Sequence, residues 1–166
     1  MYILTIETNP EKTCLESHIR TIDDMDKLNE YYHYLDCRCI DMAPIDVDGH
    51  AYDVVCDDEA MFRQPLIPSL YISEEQVFFG NIVFVRHSED GDTAGLDRED
   101  MIRLLDFIDR QKERLYRWTV QQIKRNHNKN GGKDNGKSNE ERKSNDDSEG
   151  HDHGAHDGLW CAEQVG

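Results

Sequence analysis

The chain has 166 residues, enough for one domain of ordinary size, and sets 19 basic side chains against 35 acidic ones for a formal net charge of −16. So acidic a balance disfavours direct binding to nucleic-acid phosphates; it favours a cationic partner, or mimicry of a polyanion. No basic-plus-apolar leader opens the sequence, and no apolar run is long enough to span a bilayer.

The charge is uneven. Residues 1–95 hold 6 basic and 20 acidic side chains, and residues 96–125 hold 8 and 6. The body therefore carries most of the negative charge. Five cysteines without an export signal read as reduced thiols.

Residues 2–8 (Y-I-L-T-I-E-T) alternate and are β-branched, which predicts a strand ended by Asn9-Pro10. Residues 17–21 suit a short second strand. Residues 21–34 read as a helix. Thr21 or Asp23 can cap it, acidic residues crowd its first turn, and Met25, Leu28, Tyr31 or Tyr32, and Leu35 recur at helical spacing.

Residues 35–59 read as two strands folded on a tight turn. Asp48-Gly49 is a two-residue turn signal, since a type I′ turn needs positive φ at both central positions. That register sets Val47 opposite His50, Ile45 opposite Tyr52 and Ala43 opposite Val54. One face then collects Cys37, Cys39, Ala43, Ile45, Val47, Tyr52, Val54 and Cys56, and is expected on the core. The other collects Asp36, Arg38, Asp46, Asp53 and Asp57 with Ile40, Met42 and Val55. Pro44 cannot donate to a ladder, so an edge or a bulge is expected there. His50 starts on the inward face but lies beside the turn, where water reaches it.

Residues 60–68 carry two prolines within four positions and predict an irregular connection. Residues 70–72 suit a short strand. Residues 77–86 (V-F-F-G-N-I-V-F-V-R) form the most hydrophobic run and suit a central strand, with Gly80 marking a bulge or a close backbone approach. Residues 87–95 read as a loop. A helix start follows. Asp97 can cap, Asp100 stands at the third helical position, and Leu96 can staple onto Met101. Met101, Leu105, Ile108, Leu115 and Trp118 mark one face of a helix to about residue 125. Its second half has a thin apolar stripe, suited to projecting from the domain or to packing on a second copy as a homodimer.

The expected fold is α+β: a small mixed or antiparallel sheet packed with two helices over residues 1–125. Residues 126–166 lose large apolar side chains until Leu159 and Trp160, and read as a disordered, His-containing acidic tail.

The order D-C-R-C-I-D, Y-D-V-V-C-D-D-E, I-P-S, G-N-I-V-F-V, then an acidic loop and a helix beginning L-x-x-E-D, resembles domain-of-unknown-function family 3846 across residues 22–108. The family occurs in phages, prophages and other bacterial mobile elements. The resemblance implies a small α+β domain encoded by a mobile-element accessory gene, acting in the host bacterial cytoplasm. It carries no established catalytic residues to transfer. The extension after residue 108 lies outside it.

Each candidate site has a plainer reading. Asp57, Asp58 and Glu59 at a strand end suit a divalent cation through hard oxygens, a basic partner, or merely a solvated turn. Cys37, Cys39 and Cys56 with His50 match a zinc set only poorly, because C-x-C inside a strand is not a C-x-x-C knuckle; buried thiols fit better. Ser69 and Asn81 could hydrogen-bond a small ligand near the acidic turn, or simply shape their loops. His151, His153 and His156 have the spacing of a flexible chelating tract for zinc or nickel, against the reading of an inert tail. No cofactor is expected, and there is no Walker loop, dinucleotide fingerprint or nucleophile elbow.

Three functions follow as expectations. The first is a non-enzymatic accessory protein that acts by binding, through an acidic surface including Asp53, Asp57 and Asp58, and antagonises a host defence or regulatory protein with a basic surface. The second is a binder that sequesters a nucleotide signal or similar ligand near Ser69, Asn81 and residues 57–59, for which Arg38, Arg63 or Arg86 would have to converge. The third is a metal-dependent hydrolase using the carboxylates with His50 or His87.

Overall fold

A computed structural model describes residues 1–9, 14–88 and 91–130, the side chains of residues 127–130 excepted. The tail histidines His151, His153 and His156 lie outside the described residues; the helix expected to end at about residue 125 continues to Asn130, and the rest of the segment drawn as a tail from residue 126 lies outside them.

Among the described residues, eight strands and two α-helices follow in order: β1 (Tyr2–Asn9), β2 (Cys14–Thr21), α1 (Lys27–Leu35), β3 (Ile40–Val47), β4 (His50–Asp57), β5 (Pro68–Ser73), β6 (Gln76–Phe79), β7 (Ile82–His87), β8 (Thr93–Ala94) and α2 (Arg98–Asn130). The main sheet is antiparallel, ordered β2-β1-β7-β4-β3, with β8 added to the end of β7. β5 and β6 form a separate hairpin. The α+β class expected from the sequence holds.

The β3–β4 register is the one the turn dictates: Val47 faces His50, Ile45 faces Tyr52 and Ala43 faces Val54. Asp48 and Gly49 both take positive φ, 54° and 81°. β3 is an edge, as Pro44 requires. Its neighbour Met42 has its N–H held by the Asp41 carboxylate at 2.8 Å.

Alternation divides each central strand between two cores. Leu4, Ile6, Tyr52, Val54, Ile82 and Phe84 pack with Leu104, Phe107, Ile108 and Leu115 of α2. Ile3, Val55, Val83 and Val85 pack with Ile22, Tyr31 and Leu35 on the α1 side. Both faces of the sheet are thus covered.

That second layer corrects several expectations. Asp53 and Asp57, assigned to a solvated face, are each only 7% exposed. α1 packs on that side, and each carboxylate has a polar partner there: Arg63 Nε at Asp57 and His87 Nδ1 at Asp53. Cys37, Cys39 and Cys56 do not share a face, because β3 begins only at Ile40. Cys37 packs with the α1 cluster, Cys56 with the α2 cluster, and Cys39 is exposed. Cys14 is disulfide-bonded, against the expectation of thiols throughout.

The first helix begins later than its periodicity predicts. Asp23 caps a 3-10 turn, Asp24–Asp26, through Met25 N–H, and α1 follows. Its buried residues are Tyr31 and Leu35, while Met25 and Leu28 face solvent at 93% and 53% exposure. The second strand is longer than residues 17–21, since it pairs with β1 along its whole length. The run 77–86 is two strands, not one: Gly80, at φ 70°, turns the chain out of the hairpin and into the main sheet. On α2, Leu104 and Phe107 are buried at the centre of the stripe, flanked by half-buried Met101 and Leu105.

The start of α2 is fastened by a polar network. Asp97 and Asp100 cap each other reciprocally, Asp100 N–H to Asp97 Oδ1 at 2.9 Å and Asp97 N–H to Asp100 Oδ2 at 3.0 Å. Tyr52 of β4 donates to Asp100 Oδ1 at 2.8 Å, and Arg86 of β7 donates from Nε to Asp100 Oδ2 at 3.0 Å. Arg103 donates to the Tyr52 hydroxyl at 2.7 Å. Burial pushes the Asp100 carboxyl up, but the Asp97 N–H, Arg86 and Tyr52 outweigh it and hold it below the usual carboxylate range.

A carboxylate with a depressed folded-state pKa contributes stability above its unfolded pKa and loses it as pH falls through the folded value. Asp100 therefore stabilises fully at neutral pH and stops doing so only below about pH 4. Urea unfolding across that range should show Asp100→Asn less stable than wild type at pH 7, with the gap closing in acid. Tyr52→Phe, which removes a buried donor to a charge, should cost about 1–2 kcal/mol at pH 7.

Candidate functional site

Four chain segments meet at one end of the main sheet: the end of β1, the end of α1, the last residue of β4 with the connection after it, and the Gly80 turn. Between them lies a cavity of about 230 Å³, bordered by Thr8, Leu35, Asp36, Asp57, Arg63 and Asn81, with Ala60, Pro65 and Ile67 among its apolar walls.

Each segment is held by identifiable contacts. α1 ends at Asp36 in the left-handed conformation, φ 49° and ψ 48°, which an aspartate tolerates better than most residues. Its N–H reaches the His33 carbonyl at 3.3 Å. Asn81 Oδ1 accepts from Thr8 N–H at 2.8 Å and Thr8 Oγ1 at 3.0 Å, and Asn81 Nδ2 donates to the Tyr34 carbonyl at 2.9 Å. One side chain thereby joins β1, α1 and β7. Gly80 N–H donates to the Ile67 carbonyl at 2.8 Å, and the Ser69 hydroxyl donates to the Gly80 carbonyl.

The acidic turn occupies one wall. Asp57 Oδ1 accepts the Glu59 N–H at 3.0 Å, an Asx turn that closes the strand. Asp57 Oδ2 meets Arg63 Nε at 2.5 Å, and Arg63 Nη1 donates to the Asp36 carbonyl at 2.9 Å. Asp58 and Glu59 point into solvent. A short 3-10 turn, Ala60–Phe62, follows; Ala60 is buried beneath it while Met61 and Phe62 are 65% and 87% exposed.

The residues singled out in the sequence thus separate into groups. Asp57 and Asn81 line the cavity, and Asp58 and Glu59 stand exposed beside Asp57 in the acidic turn. Ser69 is fully buried behind Gly80 and does not line it. Asp53 lies four residues up β4, about 13 Å along the strand, where its Oδ2 meets His87 Nδ1 at 2.8 Å. Of the three arginines that a phosphate ligand would need, Arg63 reaches the cavity and Arg86 is committed to Asp97 and Asp100. Nothing in the sequence marks Thr8, Leu35 or Ile67 as cavity residues; the pairing of Gly80 with Asn81 is the available signal that another part of the backbone comes close.

Among the described residues no three His, Cys, Asp or Glu side chains gather as a metal site requires. Burial, then the charges of Asp41, Asp57 and Asp58, push the Cys56 thiol up to about 11. Cys37 is likewise raised, by burial first and then by Asp57.

The family described as Domain of unknown function (DUF3846) matches residues 1–109. The chain belongs to this family. No curated protein and no solved structure matches the chain. The DUF3846 match takes in every strand, α1 and about the first three turns of α2, so the whole cavity lies within the family domain. Among the described residues no helix is long and apolar enough to cross a membrane.

Thiol chemistry offers a check on this geometry, because the thiolate is the reactive form. Iodoacetamide at neutral pH should label exposed Cys39 first and leave Cys37 and Cys56 largely unmodified in the folded protein. Peptide mapping of a time course reads the order; early labelling of Cys56 would contradict its placement.

Proposed function

We propose that this protein acts by binding a basic protein partner, without catalysis, through the surface around residues 57–67. The observation that carries the reading is the pair Met61 and Phe62, 65% and 87% exposed, directly after exposed Asp58 and Glu59. The two are adjacent on a turn that is anchored on both sides, by buried Ala60 and by the Arg63–Asp57 ion pair, and Leu66 shortly after them is also exposed. Large apolar side chains beside a polar, charged rim are the usual anchors of a recognition surface. The charge selects the partner's sign: the first 95 residues carry 20 acidic side chains against 6 basic.

The mobile-element setting that the family resemblance implied makes a host defence or regulatory protein the natural candidate for that partner, and the host cytoplasm the compartment. A second reading, small-ligand sequestration, draws on the cavity of about 230 Å³. It is the lesser one for a phosphate-bearing ligand, because Arg63 alone among Arg38, Arg63 and Arg86 borders the cavity and it already faces Asp57.

Capture from host lysate, with wild type and Phe62→Ser as baits at about 0.05 M and 0.5 M salt, tests the proposal. A basic protein should be retained by wild type at low salt, and be reduced at least about fivefold both by Phe62→Ser and by high salt. Asp58→Asn with Glu59→Gln should weaken capture mainly at low salt. Equal recovery on wild type and Phe62→Ser would overturn it.

A further inference from the structure

The Asp57–Arg63 pair is lopsided. The Asp57 side chain is 5% exposed, whereas that of Arg63 is 45% exposed. Removing a buried carboxylate's partner is costly, so Asp57 requires a cation at all times. Arg63 reaches Asp57 from the connection after the 3-10 turn, not from a strand of the sheet or from a helix. The carboxylate is fixed by its strand and by the Glu59 N–H, whereas the cation that serves it is carried by a loop and can be exchanged for another. Arg86, 40% exposed beside Asp100, is by contrast held in β7 and shared with Asp97.

The acceptors around the Arg63 guanidinium form a ready fork. Asp57 Oδ2 takes Nε, and the Asp36 carbonyl, exposed by the left-handed end of α1, takes Nη1. A planar guanidinium satisfies two acceptors set apart in this way; an ammonium does not. Behind the fork lies the cavity, with apolar walls at Leu35, Pro65 and Ile67 that Arg63, approaching from the connecting loop, borders without filling. An arginine entering from outside could make the same two contacts and lay its aliphatic stem on those walls.

From this we infer that Arg63 is an internal plug and that the pocket is built to receive an arginine side chain of the protein partner, which displaces Arg63 from Asp57 and the Asp36 carbonyl. This rests on the binding function proposed above and specifies its central contact. Exposed Met61 and Phe62 stand next to the plug in sequence, so a partner arginine flanked by apolar residues suits the surface. A tethered competitor lowers apparent affinity by the fraction of time it leaves the site open. Loss of the plug should therefore strengthen binding.

The probes are N-acetyl-arginine amide and the peptide acetyl-Leu-Arg-Leu-amide, titrated into the full chain by calorimetry and by nitrogen-15 NMR. In wild type, saturating peptide should move the Arg63 Nε–H resonance to a solvent-exchanging position. Arg63→Gln should bind the peptide about tenfold more tightly than wild type. Arg63→Lys, which keeps Asp57 neutralised if the glutamine variant folds poorly, should also bind more tightly because it frees the Asp36 carbonyl. Asp57→Asn should abolish binding, and the lysine counterpart of the peptide should bind at least about tenfold more weakly than the arginine peptide.

An unmoved Arg63 resonance in wild type, or peptide affinity no greater in either Arg63 variant, would overturn the plug. Amide and peptide binding with equal affinity would mean a free metabolite and overturn the assignment to a partner's side chain. These failures are separable from failure of the function itself: a captured partner sensitive to Phe62 but indifferent to Arg63 sinks the plug alone. A pocket that takes the peptide while lysate capture ignores Phe62 sinks the proposed function alone.

Discussion

The Asp100 carboxylate is the point on which the architecture turns. It closes the cap of α2, accepts the Tyr52 hydroxyl from β4, and takes the Arg86 guanidinium from β7. Three elements distant in sequence are thus fixed by two oxygens. The apolar contacts of Leu104, Phe107 and Leu115 with the sheet are non-directional and would tolerate a sliding helix. The polar network removes that freedom. It also explains how a chain of net charge −16 keeps an acidic residue inside: the charge is matched by Arg86 and Arg103 within the same cluster.

At the other end of the sheet the same chemistry appears with a different balance. Asp57, like Asp100, is buried, and it too relies on an arginine and a main-chain N–H. The Asp100 network draws donors from several elements and is tied into the helix start, whereas Asp57 depends on one half-exposed arginine from a loop. The first arrangement suits permanence and the second suits exchange. Asn81 makes the second possible, since by joining β1, α1 and β7 it keeps the cavity walls in place whatever Arg63 does.

Local signals carried much of this fold. Asp48-Gly49 set the hairpin register because this pair favours the two-residue turn with two positive φ values that joins those strands. Asp97 and Asp100 announced the start of α2 by their spacing alone. What failed depended on what lay across the sheet. Asp53 and Asp57 read as solvated because alternation says which residues share a face, not whether a helix will cover it. Residues 77–86 read as one strand because composition is the same on both sides of Gly80, and the change of sheet is set by tertiary packing. Met25 and Leu28 read as core because they repeat helically, yet α1 starts only at Lys27 and is too short to bury them. At the site, Asp57 and Asn81 were visible as polar residues beside a turn. The role of Arg63 was not, since nothing in A-M-F-R-Q-P shows which way the loop folds back.

The border formed by β3 has a further meaning. Pro44 offers no donor, Met42 has spent its own on Asp41, and Asp46 accepts the Gly49 N–H at the turn. An incoming strand would find missing rungs and two carboxylates, and an identical strand would meet its own charge. Copies of this protein crowded together are therefore kept from zipping into ladders along this border.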